Sequence, residues 1–313
     1  MKAENPKEEA RGIATAAAST SEANVAASLR LIMSEVTIRE VQAALGAEGI
    51  GIIVLKGPHF ACILYEDPRE RRFQDLDLLV APGHFLRAGE ILRSKGFRLV
   101  PGEKGRKVSW SHSYHWQYIS PRGVLVELHR AWADHGRYGY DSEAVFARAV
   151  RFRIGKVEAL GLGTEDLICF LCVHAAKSYM VIDVKHLVDL ALAIEKMNPN
   201  WTRVSERISE VDVRSAAYGY LLAAREQAGA RVPPEVLNRF RPMRLKRKWL
   251  EHHLDCSVLP LYRFMNHGDF QRKLRLEFAL SDSLGDSIRF LARYVKVRVE
   301  DWCSCWSFRD PSA

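Results

Sequence analysis

The chain has no run of about 18 consecutive apolar residues, which excludes a transmembrane helix. Proline and glycine are sparse, 12 and 20 in 313 residues, so collagen-like, mucin-like and wholly disordered readings fall away. Six cysteines at irregular spacing are too few for a disulfide scaffold in a chain this long, and a reducing cytoplasm is the expected compartment. The opening residues, Met1–Arg11, carry charges of both signs and lead into an Ala/Ser/Thr stretch rather than an apolar core, so they do not read as a secretory signal. Acidic residues are the minority charge: 38 Asp plus Glu against 46 Lys plus Arg, a net +8. That excess favours an anionic partner without identifying one.

What is present is an ordinary globular composition, 48% hydrophobic and 27% charged, at a length that suits two packed domains. Residues 1–24 show no periodic apolar face and are expected as a disordered tail. From Val25, the positions Leu29, Ile32, Met33, Val36, Val41 and Leu45 recur at helical spacing and predict one or two helices ending near Gly46 or Gly49. Ile50–Leu55 is a short β-branched run, expected as a buried strand that stops at Lys56-Gly57-Pro58. Pro58 suits the first turn of a helix continuing through Phe60, Ile63 and Leu64. A strand over Leu76–Val80, a helix over Phe85–Ser94 and a strand over Val124–Leu128 follow.

The second half has a different period. No strand alternation is expected after about Val157, and helical spacing runs through Leu167–Met180, Val184–Met197, Trp201–Ile208, Ser215–Ala228 and Ser283–Val299. The expectation is an α+β chain: a mixed domain over residues 25–160, then an all-helical domain over 161–313.

The most informative segment is Arg71-Arg72-Phe73-Gln74-Asp75-Leu76-Asp77-Leu78-Leu79-Val80. Two aspartates at i and i+2 on a strand project from one face, where they repel each other unless a cation lies between them. Such a carboxylate ledge suits Mg²⁺-dependent phosphoryl chemistry, because Mg²⁺ takes hard oxygen ligands and keeps positions for water and phosphate. Glu127 interrupts the apolar run Val124–Leu128 and is a third candidate acid. By itself an Asp-x-Asp pair reads more often as the wet side of an edge strand, and it is Glu127 and Lys56-Gly57 together that turn the balance towards a site. Lys56-Gly57, at a strand-to-helix turn, would let a phosphate approach the backbone, although no Walker pattern is present.

Taken together, Val54-Leu55-Lys56-Gly57, Leu64-Tyr65, Arg71, Asp75–Val80, Gly96-Phe97, Val126-Glu127-Leu128-His129, Glu165-Asp166-Leu167, His174-Ala175-Ala176-Lys177, Leu187–Ala191 and Pro233-Pro234-Glu235 resemble a known pattern. It is that of the uncharacterised nucleotidyltransferase family, within the DNA polymerase β-like nucleotidyltransferase superfamily, and it covers roughly residues 29 to 242. The resemblance implies a small mixed sheet carrying three carboxylates, backed by helices, with a helical domain closing a cleft. It implies a nucleoside triphosphate bound with Mg²⁺, and an acceptor that attacks the α-phosphorus as pyrophosphate leaves. Asp75, Asp77 and Glu127 match its catalytic, metal-holding acids. Lys56, Gly57, Arg71, His174 and Lys177 match positions that would meet the nucleotide, with Asp189 as an orienting partner. Pro58 stands where the superfamily commonly has Ser or Thr, so a hydroxyl contact to phosphate is lost and Lys56 would compensate.

Other constellations are weaker. His112, His115 and His129 flank the Glu127 strand without the spacing of a zinc site, and Cys169 and Cys172 read as core thiols. The basic clusters Arg239, Arg241, Arg244, Lys246, Arg247, Lys248 and Arg289, Arg293, Lys296, Arg298 could hold an RNA backbone or form a solvated helical surface. The expected activity is transfer of a nucleoside monophosphate from an NTP to an acceptor that is a small molecule, a peptide or protein, or an RNA. The alternatives are a toxin-like enzyme modifying tRNA, and a non-catalytic module that holds nucleotide or RNA. No membrane partner is expected.

Overall fold

A computed structural model describes residues 6–100, 114–132, 141–178 and 184–256, with the isolated positions 280 and 282. These residues group into two compact units: one through Ala131 together with Asp141–Gly163, the other Trp132 and the chain from Thr164 onward.

The first unit is built on a mixed sheet. Its elements are α1 (Pro6–Gly46), β1 (Ile53–Val54), α2 (Pro58–Leu64), β2 (Asp75–Leu79), α3 (Phe85–Ser94), β3 (Arg98–Leu99), β4 (His115–Ile119), β5 (Leu125–His129), α4 (Ser142–Ala147), β6 (Val150–Ile154) and β7 (Val157–Gly161). The strand order is β3-β4-β5-β2-β1-β7-β6. β2 runs parallel to β5 and β1 parallel to β7, and the remaining pairs are antiparallel. The chain is therefore α+β.

The buried strand expected over Ile50–Leu55 pairs only at Ile53 and Val54, opposite Leu79 and Leu78, yet Ile50 and Ile52–Leu55 are all enclosed. Four strands lay outside the expectation: β3, β4, β6 and β7. β4 reads His-Trp-Gln-Tyr-Ile, with Trp116 and Tyr118 buried, so its period of two is carried by aromatics alternating with polar residues. β6 and β7 form a hairpin through Gly155-Lys156 with Ile154 opposite Val157, so strand structure continues past Val157 to Gly161.

α1 takes in most of the segment expected as a tail, with side chains described from Glu22 onward. Its buried face is also rotated from the expected one. Ser34, Thr37, Ile38, Val41 and Leu45 are enclosed, while Leu29 and Ile32 are more than half exposed. The Thr37 hydroxyl donates to the Met33 carbonyl one turn earlier (2.8 Å), which lets a polar residue occupy a core position. Ile38, Val41 and Leu45 belong to one core with Val54, Leu76, Leu78, Val126 and Leu128 from the sheet and with Ala88, Ile91 and Leu92 from α3. That core uses the alternate residues of β2 and β5, which leaves Asp75, Asp77, Glu127 and His129 to the other face.

The second unit is helical: α5 (Thr164–Lys177), α6 (Val184–Met197), α7 (Trp201–Glu210), α8 (Arg214–Ala228), α9 (Pro234–Phe240) and α10 (Arg244–Cys256). Asn200 caps α7, its side-chain oxygen accepting from the Thr202 and Arg203 N–H groups at 3.1 Å each. Cys169 and Cys172 are buried on α5, and burial pushes the Cys172 thiol up to about 12 and Cys169 well above its ordinary value, as expected of inert core thiols. The expected helix Ser283–Val299 lies outside the described residues. No helix among the described residues is long and apolar enough to cross a membrane.

Candidate active site

The parallel pairing of β2 with β5 puts Asp77 opposite Glu127 and Leu79 opposite His129. Antiparallel β4 then sets Gln117 beside Glu127 and His115 beside His129. Since strand residues alternate faces, Asp75, Asp77, Glu127, His129, Gln117 and His115 share one side of three adjacent strands.

Asp77 is fully enclosed and lies at the centre of the group. Its Oδ1 accepts from His129 Nε2 at 3.1 Å and lies 3.2 Å from the Lys56 ammonium. Its Oδ2 is buried with no hydrogen-bond partner. Glu127 accepts from Gln117 Nε2 on Oε1 at 2.8 Å, and its Oε2 lies 3.3 Å from His129 Nε2 and 4.0 Å from His115 Nε2. The His115 and His129 rings stack with centroids 5.1 Å apart, which fixes the plane of the inner imidazole.

These contacts set the charges. Burial pushes Asp77 up, but the Lys56 ammonium and the His129 hydrogen bond outweigh it and hold the carboxyl below its usual range. Glu127 follows the same pattern, with hydrogen bonds from His129 and Gln117 overcoming its burial. Burial and the neighbouring Asp77 charge both raise Asp75. Burial would lower Lys56 and His129, yet the surrounding carboxylates raise both, so positive charge is held among the acids.

Gly57 makes the turn that delivers Lys56. It has φ +60° and precedes Pro58 at the start of α2, and a Cβ here would stand 3.2 Å from the Asp75 carbonyl oxygen. Glycine suits both the left-handed backbone and the close passage of the chain entering β2. The His59 N–H donates to the Lys56 carbonyl at 3.3 Å, so one donor of this short helix start is already engaged.

Lys56, Gly57, Asp75, Asp77 and Glu127 are thus brought together as the sequence suggested. Arg71 is buried, its guanidinium 5.2 Å from the centre of the Phe60 ring. His174 and Lys177 stand in the second unit on α5, where the His174 ring meets His186 of α6 edge-on at 4.8 Å, and Asp189 is enclosed on the same α6. In the basic cluster Arg239, Arg241, Arg244 and Lys248 are exposed, and Arg247 Nε lies 3.6 Å from Glu251. His112 and the second basic series lie outside the described residues.

His129 was missed as a member of this site, although Glu127 and His129 have the same i, i+2 spacing that singled out Asp75 and Asp77. With it, the site fits a divalent cation. Asp77, Glu127 and His129 each offer a ligand atom within 4.8 Å of the others, and the orphaned Asp77 Oδ2 can only accept, which a cation satisfies.

The sequence profile of a family described as "Uncharacterised nucleotidyltransferase" matches residues 11–229. No curated protein matches the chain. Among solved structures, the solution structure of the antibiotic-resistance factor ANT(2'')-Ia is 15% identical, with a TM-score of 0.39, over 57% of this chain and 90% of that one. The lincomycin-bound lincosamide antibiotic adenylyltransferase LnuA is 8% identical, with a TM-score of 0.34, over 50% and 93%. An antigenic nucleotidyltransferase-like protein from Paracoccidioides brasiliensis is 15% identical, with a TM-score of 0.35, over 76% and 97%.

Proposed function

The chain belongs to the uncharacterised nucleotidyltransferase family, and from that premise we propose that it moves a nucleoside monophosphate from an NTP to an acceptor, with Mg²⁺ bound and pyrophosphate released. The observation that carries this reading is the pairing of Asp77 with Glu127 beside Asp75, with one buried Asp77 oxygen left for a cation.

Asp77 and Glu127 would hold the ion, with Asp75 beside them on the same strand face. When bound, it supplies charge neutralisation for the leaving pyrophosphate and acidifies the acceptor's attacking group. Both Glu127 oxygens have polar neighbours, and Asp77 is enclosed between Lys56 and His129. Asp75, only half-buried at the start of β2, is the carboxylate best placed to take the acceptor's proton. Gly57 keeps the turn open beside it, and Lys56 and Arg71 supply positive charge for the triphosphate. His174 and Lys177, on α5, are further proposed nucleotide-binding residues. The catalytic domain spans 25–160 and the helical domain 161–313 in this reading, and cytoplasmic placement accompanies it.

The acceptor is a small molecule, a peptide or protein group, or an RNA end. The exposed arginines around α9 and α10 favour RNA, including the toxin-like reading in which tRNA is modified. Incubation with α-labelled NTPs, Mg²⁺ and fractionated cell extract should label one acceptor class and release pyrophosphate. Label transfer that survives Asp75→Asn combined with Asp77→Asn would sink the site assignment. Tight NTP binding with neither label transfer nor pyrophosphate would leave a binding module instead.

A further inference from the structure

We propose that His129 is a direct ligand of the divalent cation, so that the site binds nitrogen-accepting ions of the Mn²⁺ class more tightly than Mg²⁺. The proposal rests on the cation reading above and deepens it, because it changes which ion the site prefers and why.

Distance supports it first. Ligands about 2.1 Å from an octahedral ion and at right angles to each other stand about 3.0 Å apart. His129 Nε2 is 3.1 Å from Asp77 Oδ1 and 3.3 Å from Glu127 Oε2, so once the incoming cation displaces the Nε2 proton to solvent, three potential donors are spaced like neighbouring corners of a coordination polyhedron. The set whose ligand atoms lie within 4.8 Å of one another is Asp77, Glu127 and His129, with Asp75 outside it.

Rigidity is the second support. All three donors stand on paired strands rather than loops: Glu127 and His129 are two residues apart on β5, and Asp77 faces Glu127 in register on β2. Their positions are therefore set by backbone hydrogen bonds and by the apolar core on the opposite side of the sheet, with His115 stacked on the His129 ring. Asp77 is fully enclosed and His129 nearly so, which makes removal of either from the donor set a matter of moving a strand.

Donor chemistry is the third. Carboxylate oxygens alone suit Mg²⁺, whereas imidazole nitrogen adds affinity for first-row transition ions and little for Mg²⁺. Two carboxylates and one imidazole make a mixed set that still accepts Mg²⁺ when it is abundant but ranks Mn²⁺ above it.

The test uses the full chain without nucleotide, whose ring nitrogens would confuse the signal. Mn²⁺ is titrated with free ion followed by electron paramagnetic resonance, Mg²⁺ affinity is obtained by competition, and spin-echo modulation reports nitrogen bound to Mn²⁺. The expected result is about tenfold tighter binding of Mn²⁺ than Mg²⁺, with nitrogen modulation that persists in His115→Gln and vanishes in His129→Gln. His129→Gln should also lose about 10- to 100-fold in Mn²⁺ affinity while Mg²⁺ affinity changes by less than about threefold. Modulation on the native protein is informative even if His129→Gln fails to fold. Mn²⁺ bound without nitrogen modulation, or modulation unchanged in His129→Gln, overturns the proposal and reduces His129 to a residue that positions the two acids. No Mn²⁺ binding overturns it as well. Label transfer from NTPs with Mg²⁺ is read separately, so loss of this inference and loss of the nucleotidyl-transfer reading give different results.

Discussion

The Lys56 ammonium lies 3.2 Å from Asp77 Oδ1, a partly shielded cation against a carboxylate with no exposed surface. Removing Lys56 leaves the buried Asp77 charge with His129 as its one remaining cationic neighbour among the described residues. Lys56→Met should therefore lower unfolding free energy by about 2–4 kcal/mol, read from urea midpoints. Millimolar Mg²⁺ should restore more stability to the variant than to the native chain, because a bound cation takes over the charge balance. Equal Mg²⁺ effects on both proteins would show that the ion does not sit beside Asp77.

Asp75 carries the opposite balance. Burial and the Asp77 charge raise its affinity for a proton, so its contribution to stability is favourable below the ordinary carboxylate value and is lost as pH rises through the raised one. At neutral pH the ionised group therefore costs stability. Asp75→Asn should stabilise the fold by about 1 kcal/mol at pH 7, with the gain disappearing near pH 3, while label transfer falls by about 100-fold or more. Thermal unfolding at the two pH values and the labelling assay check the two halves of this prediction.

His59 is fully enclosed on α2, its ring 4.7 Å from Phe152, and burial pushes its imidazole down to about 3 against a weaker pull from the Leu55 backbone. A base whose folded value is depressed favours the native state above the unfolded value of 6.5 and loses that favour as pH falls from there towards 3. Native stability should drop by about 1.4 kcal/mol per pH unit through this window from His59 alone. His59→Leu should remove that component, so the stability difference between native and variant changes between pH 7.5 and pH 5 in urea titrations. A constant difference would place the imidazole in contact with water.

Gly161 ends β7 directly against that ring. A Cβ at this position would collide with the His59 ring. Gly161→Ala should overpack the enclosed pocket and cost about 1–3 kcal/mol. Combining it with His59→Ala should recover part of the loss in a double-mutant cycle, and strictly additive effects would argue against the contact.

The carboxylates of the site were legible because strand alternation turns Asp-x-Asp into a shared face, and because Glu127 has no place in an apolar run unless it points at something. The same rule applied to Glu127-Leu128-His129 would have found the imidazole, but a histidine weighed as a zinc ligand beside His112 drew attention away from its own strand. β4 hid because its outward positions are His, Gln and Ile, and α1 misled because Thr37 and Ser34 occupy the core where Leu29 and Ile32 looked better suited. Hydropathy reads residue type, whereas burial follows which side of the helix meets the sheet.

By itself the sequence determined part of the local structure: the helices from α5 to α8, the strands around Asp75–Leu79 and Leu125–His129, which acids share a strand face, and that a lysine and a glycine follow β1. Those depend on periodicity and backbone conformation within a few residues. Only the tertiary structure decided that β5 lies parallel to β2 with Asp77 opposite Glu127, and that His129, 52 residues from Asp77, donates to it. Strand pairing is a contest among non-local partners, settled by the packing of Leu76, Leu78, Val126 and Leu128 into one core, and the polar residues on the reverse face meet as a consequence.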